Sequence, residues 1–464
     1  MASPIAIVGM SCRFAGCSGP SSLWNAVMEG RSMLSVPGPD TELSYGTKRL
    51  FDRPYPTRVG QLGDLFSCVQ AMQNFPRQIN AGENQDLYFA TQLAFDALSD
   101  AGMKPRSREM VRGTVRLAYA PPFNASTVNW LQHTTFLDQT MEILRRFLPN
   151  APANALDEVK SSLAQSLPVP NASSFLLGSG FRFVSWIARE CAFSGAATII
   201  DAGNLSGAAA IMEAMRDLRT GDADVALAGA VMSPLSRAYL DGLSGIVRFS
   251  AKSALEPFSR DSDGTIPGEG GAFFVLKRRE DALRDHDRIY ALIRSVAIGH
   301  NPGNDASVIF ERALTRLGMD VRTVGLIEAD GSGIPGPEAR EIAAVQKLWG
   351  EHKPGGPLVG IGSVKGNIGH TMKAAMAAGL AKASLALHHR VLPPQIAPEH
   401  PMEALANLGS SAYLITEPRP WIKSDAAVPR RAVVTGDNFD PAETIGNAFT
   451  GGRSAAIVLE EEPE

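Results

Sequence analysis

Short aliphatic runs, apolar on successive positions and bounded by glycine or proline, recur at 5–8, 225–231, 272–276, 325–328 and 455–459. Side chains of a strand point alternately to its two faces, so a run without polar alternation predicts a strand covered on both sides. Between these runs the apolar positions take helical spacing over 87–101, 207–218 and 337–349, and 374–387 reads as an Ala-rich helix. Strands that alternate with helices in this way predict a layered α/β fold.

Two tracts break the pattern. Residues 38–83 scatter Pro, Gly and polar residues, and 123–172 is amphipathic without a strand signal, so both read as excursions from a central core. The closing GGRSAAIVLEEEPE reads as a strand that turns into an acidic, solvated tail or domain edge. One echo is present: Gly203-Asn204-Leu205-Ser206-Gly207 and Gly366-Asn367-Ile368-Gly369-His370 each precede an Ala-rich helix, which suggests an internal duplication.

The chain has 464 residues, long enough for two domains or one doubled domain. With 44 basic and 48 acidic side chains its net charge is −4, which argues against a nucleic-acid or anionic-membrane surface, since those need clustered Lys and Arg. Cys12, Cys17, Cys68 and Cys191 form no disulfide framework, and the Cys12/Cys17 pair lacks the partners of a zinc site. They read as buried thiols of a reducing cytosol, and no metal or cofactor is expected. The N-terminal residues lack a basic leader, and 374–387, interrupted by Lys382, falls short of the roughly 18 apolar residues that a bilayer span requires. A cytoplasmic protein without a membrane span is the expectation.

Three segments then point together. IAIVGMSCRFAGCSGPSSLWNAVMEGRS near the start, LEPFSRDSDGTIPGEGGAFFVLKRREDALRDHDRIYALI in the middle and SVKGNIGHTMKAAMAAGLAKASLALHH later resemble, in order, the first strand and helix, the central signature and the Lys/Asn-Ile-Gly-His block of β-ketoacyl synthases of polyketide and polyunsaturated fatty acid assembly. The resemblance runs over nearly the whole chain. It implies a single ketosynthase-like domain, 1–464, with the thiolase fold: a five-layer αβαβα sandwich of two related halves, near 1–282 with the elbow at Gly203 and 283–464 with His370, normally dimeric.

A condensing member of that family uses a cysteine to carry the acyl chain and two histidines to decarboxylate a malonyl thioester. A thiolate at a helix N-terminus is favoured by the helix dipole, and imidazole donors stabilise the enolate oxygen. Where the family's Ala-Cys-Ser-Ser-Ser stands, this chain has Asp201-Ala202-Gly203-Asn204-Leu205-Ser206, which places Gly203 at the nucleophile. The family's His-Gly-Thr-Gly-Thr becomes Asp330-Gly331-Ser332-Gly333-Ile334, and its phenylalanine gate aligns with Thr450. The second histidine is kept as His370, with Lys365 and Asn367 before it and the acid pair Glu338 and Glu341 behind.

The bland readings differ from residue to residue. Ser206, a helical turn past Gly203, is a substitute nucleophile only with His370 as base. Cys191 reads as a packed thiol, Asp330 as a turn residue, and Lys365 as paired with Glu338 or Glu341. His388 and His389 suit a helix C-terminus, and GEGG at 268–271 reads as a glycine turn without the Lys-Ser/Thr of a phosphate cradle. The resemblance therefore implies a catalytically degenerate, chain-length-factor-type partner of an active ketosynthase, with that ketosynthase or a second copy and acyl carrier protein as partners. The alternatives are a stand-alone enzyme that decarboxylates or transacylates carrier-bound substrate through His370, although decarboxylating relatives keep both histidines and carry Gln at the cysteine position, or a carrier-docking scaffold.

Overall fold

The computed structural model describes residues 3–37, 56–63, 85–104, 110–119, 135–166, 180–232, 235, 237–350, 358–406, 408–409, 411–423, 425–438 and 452–463. Its strands are β1 (Ile5–Phe14), β2 (Gly113–Ala118), β3 (Ala197–Ile200), β4 (Val225–Met232), β5 (Gly270–Arg278), β6 (Ala291–His300), β7 (Leu326–Glu328), β8 (Val359–Gly362), β9 (Val391–Leu392), β10 (Ala412–Leu414), β11 (Arg419–Pro420), β12 (Arg431–Asp437) and β13 (Arg453–Glu460). Eleven of them form one sheet in the order β10-β8-β7-β12-β13-β6-β1-β5-β4-β2-β3, and β9 pairs with β11. Outward from the β6·β1 junction the two sides match. β1, β5, β4, β2, β3 and β6, β13, β12, β7, β8 each begin with antiparallel pairs and end with parallel ones.

The helices that matter for the site are α1 (Pro20–Met28), α2 (Gln85–Asp100), α3 (Leu137–Phe147), α4 (Ala153–Ser166), α5 (Gly180–Glu190), α6 (Ser206–Thr220), α7 (Ser307–Thr315), α8 (Pro335–Trp349) and α9 (Ala375–His389). Period-two burial along β4 separates the layers: Ala226, Ala228 and Ala230 join a central core with Ile211 and Met215 of α6 and Met376 and Leu380 of α9. Val225, Leu227 and Val231 face outward to a core shared with α2 and α5. Val433 and Val458 do the same for α7 and α8 in the second half. Helices α6 and α9 thus sit between the two sides of the sheet, with outer helices beyond.

Helix α9 is apolar nearly all round and buried from Ala375 to Leu387, as a helix enclosed on every side must be. Its one cation, Lys382, lies 2.7 Å from Glu328 at the end of β7, with side chains 0% and 1% exposed. Among the described residues no helix is long and apolar enough to cross a membrane.

Two expectations change here. Segment 268–271 is extended backbone and not a turn: Gly268 bridges Gly60, and Gly270 and Gly271 open β5. A Cβ on Gly268 would collide with the Ile368 carbonyl, so glycine lets this strand approach the 366–370 block. The acidic end is likewise no solvated tail. Glu460 pairs with Arg294 and Arg431, Glu461 with Lys423 and Arg430, and Glu462 with Arg279. Of the two excursions, 38–55, 64–83 and most of the flanks of α3 and α4 lie outside the described residues, as does Cys68.

Candidate functional site

Strand β3 leads into α6 through a turn at 201–205. Gly203 takes φ +64°, the left-handed region that glycine enters without steric cost. The Ser206 hydroxyl closes the turn from inside, donating to the Gly203 carbonyl at 2.6 Å and accepting the Ala202 N–H at 2.8 Å. Fully buried and so engaged, it braces the turn. The Gly203 N–H donates to Asp201 Oδ1 at 3.2 Å, and Asp201 holds the Lys373 ammonium at 3.2 Å. From the end of β12, Asn438 accepts the Asn204 N–H at 2.7 Å.

The three described thiols are free and buried. Cys191 is buried, and that burial pushes its pKa up to about 12. Cys12 and Cys17 are buried in and beside β1, and burial raises both. Thr450 lies outside the described residues.

A second loop joins β7 to α8. The two glutamates on the first turns of α8 reach back to its amides: Glu341 accepts from Asp330 N at 2.8 Å, Gly331 N at 3.1 Å and Thr435 Oγ1 at 2.5 Å, and Glu338 accepts from Gly333 N at 2.8 Å. Lys365 does not pair with either glutamate as the sequence suggested. It sits 3.1 Å from Asp330 Oδ1 and also donates to the Asp330 carbonyl. Asp330 is therefore half of a buried ion pair and not only a turn residue; Gly331 and Gly333, at φ +48° and +79°, make the turn.

His370 is 0% exposed, and its main chain is zipped to the neighbouring strand through Ile266 O at 2.7 Å and Gly268 N at 2.9 Å. Burial first, then the Lys365 charge, press its pKa down to about 3, with Asp330 opposing. The ring is neutral, and because Met372 N donates to Nδ1 at 3.0 Å its proton resides on Nε2. Asn367 does not join this group. Its Nδ2 donates to the Arg31 carbonyl at 2.9 Å and to Ala26 O at 3.4 Å, satisfying carbonyls at and just past the end of α1.

The acids behind the loop are held protonated-leaning by burial. Glu338 is raised to about 8, chiefly by desolvation. Asp437 rises to about 7 by desolvation and then by the Asp330 charge, while Arg340 at 3.7 Å opposes. Glu341 is raised by burial and by Asp330. Sequence reasoning missed Asp437, Asn438 and the Asp201–Lys373 pair. Asn438 meets the elbow across 234 residues of chain, and no local pattern signals that contact. Among the described residues no group of three His, Cys, Asp or Glu side chains is placed to hold a metal ion.

Models of the β-ketoacyl synthase N-terminal and C-terminal domains match residues 2–282 and 293–399. The chain belongs to the β-ketoacyl synthase family. The phthioceranic/hydroxyphthioceranic acid synthase of Mycobacterium tuberculosis strain H37Rv is 30% identical over 456 residues, covering 94% of this chain and 19% of that protein. The chain thus spans about a fifth of the length of such relatives. Among solved structures, the oxazolomycin ketosynthase domain OzmH KS7 of Streptomyces albus superposes with TM-score 0.77 at 24% identity, over 99% of this chain and 76% of that one. The PfaC ketosynthase–chain length factor gives TM-score 0.75 at 24% identity, over 99% and 48%. These likenesses establish the thiolase-type ketosynthase fold, an α/β architecture, for this family member.

Proposed function

We propose that this ketosynthase-like chain does not condense and acts as a chain-length-factor-type partner of an active ketosynthase in polyketide or polyunsaturated fatty acid assembly. The observation that carries the reading is the elbow: Gly203 offers no thiol, and the N–H groups of Gly203 and Asn204 already donate to Asp201 and Asn438. A condensing site needs a nucleophile and donors aimed at the developing oxyanion. Asp330 adds to this, since a carboxylate bound to Lys365 supplies neither the imidazole nor a favourable charge beside an enolate. The likeness to the PfaC ketosynthase–chain length factor is in keeping with it.

We read 1–282 and 283–464 as the two halves, in line with the matched strand order. The partner face includes β3, at the end of the sheet, whose outer edge invites another strand. Acyl carrier protein is the further partner.

Co-expressed with a ketosynthase that keeps its cysteine, the chain is expected to elute as a one-to-one heterodimer in size-exclusion chromatography with light scattering. A homodimer that ignores such a ketosynthase would sink the reading. The competing reading, decarboxylation through His370, has one support, the Nε2 proton of a neutral imidazole. With malonyl-carrier protein, no carbon dioxide above background is expected by mass spectrometry. Release that disappears in His370→Ala would establish the competing reading instead.

A further inference from the structure

Three hydrogen bonds tie the elbow to the end of β12, and they run in both directions. The Asn438 carboxamide accepts from the Asn204 N–H at 2.7 Å and donates to the Ala202 carbonyl at 3.1 Å. Asn204 returns the contact, its own carboxamide donating to the Asp437 carbonyl at 3.3 Å. Asn204 is 8% exposed and Asn438 is half-buried, so the exchange is partly shielded from water, and an amide left unmatched on the Asn204 side would be costly.

The same carboxamide fills the space in front of Gly203. A Cβ placed there would lie 2.7 Å from Asn438 Oδ1 and 3.2 Å from both its Cγ and Nδ2. A side chain at 203 and the Asn438 carboxamide therefore compete for one volume. Asp201 takes the Gly203 N–H and Asn438 takes the Asn204 N–H, so a thioester oxygen arriving at the turn meets no available donor from either.

We propose that Asn438 and Asn204 form a reciprocal carboxamide clasp that shuts the elbow against acyl thioesters, with Asn438 as the positioning residue that keeps it shut. The inference rests on the non-condensing reading above and deepens it. Missing sulfur alone does not define this site, because a thiol returned to the turn would still face the clasp.

The test is iodoacetamide labelling of Gly203→Cys and Asn204→Cys, each with and without Asn438→Gly, with modified positions assigned by peptide mass mapping. With Asn438 in place the thiol at position 204 is expected to label as slowly as the buried Cys191, and the thiol at the exposed position 203 more slowly than it does without Asn438. Without it, the thiol at position 204 is expected to label about tenfold faster or more, the worth of roughly one hydrogen bond. Labelling at position 204 that is rapid while Asn438 is present, or labelling at either position that Asn438→Gly does not speed, overturns the clasp. If a cysteine variant does not fold, Asn438→Ala alone decides: the Asn204 amide should exchange with deuterium about tenfold faster, on the same reckoning. Unchanged exchange overturns the clasp. Labelling indifferent to Asn438 would leave the partner reading intact, whereas failure to pair with a ketosynthase would not alter the labelling result.

Discussion

Lys382→Met is expected to cost about 3–5 kcal/mol of folding stability, since it strands the fully buried Glu328 carboxylate without its cation. Glu328 and Lys382 are 1% and 0% exposed and 2.7 Å apart, and burial already raises the Glu328 pKa against the pull of Lys382. The damage reaches the site, because the other Glu328 oxygen accepts the Val364 N–H at 2.7 Å, one residue before Lys365. Adding Glu328→Gln to Lys382→Met removes the stranded charge and keeps an acceptor for Val364, so the double variant should regain most of the loss. Urea unfolding of the two variants measures this. A single variant within about 1 kcal/mol of the parent would show that the pair contributes little, as exposed pairs do.

Glu338→Gln should stabilise the protein at alkaline pH. Burial lifts the Glu338 pKa from 4.5 to about 8, so the folded state keeps a proton that the unfolded chain gives up. The sign follows from that difference. This stability is fully present below pH 4.5, falls as pH rises, and is gone above about 8. At about 1.4 kcal/mol per pH unit the swing amounts to about 5 kcal/mol. Glutamine does not titrate and still accepts the Gly333 N–H, so the variant should gain on the parent between these limits. His370 works in the opposite sense. Its pKa is depressed to about 3, so its contribution is present above 6.5 and lost as pH falls toward 3. Melting temperatures of parent and variant at pH 5, 7 and 9 separate the two limbs, because His370 is common to both proteins. Parallel curves would remove Glu338 as the source.

The architecture was readable wherever burial on both faces wrote an unbroken apolar run. The runs at 225–231, 272–276 and 455–459 lie within β4, β5 and β13, and the helical pattern at 207–218 lies within α6. Strand β2 left no such signature because Arg116 stands in its middle. The guanidinium is tolerated there only because Asp217, 101 residues on, meets it at 2.7 and 2.9 Å with Thr198 beside it. Strand β1 runs on to Phe14, past the apolar residues 5–8, because Ser11 and Arg13 still pair with β5. At the site, motif spacing singles out Gly203 and Asp330, but it says nothing of their partners. Lys365 takes Asp330, whose loop folds back over it, and not the glutamates that hold the loop amides, and Asn438 reaches the elbow through tertiary packing alone.

The place of β1 in the sheet sets a timetable for synthesis. The strand is finished at Phe14, yet its pairing partners are 270–278 in β5 and 291–293 in β6. A ribosome adding roughly 5–20 residues per second needs roughly 13–53 s to travel from one to the other. Throughout that interval IAIVGMSCRF, nine of whose ten residues are buried at the end, has no sheet to enter. Strand β1 is complete long before its partners exist, and until they do it is a stretch of the nascent chain for a holding chaperone to cover.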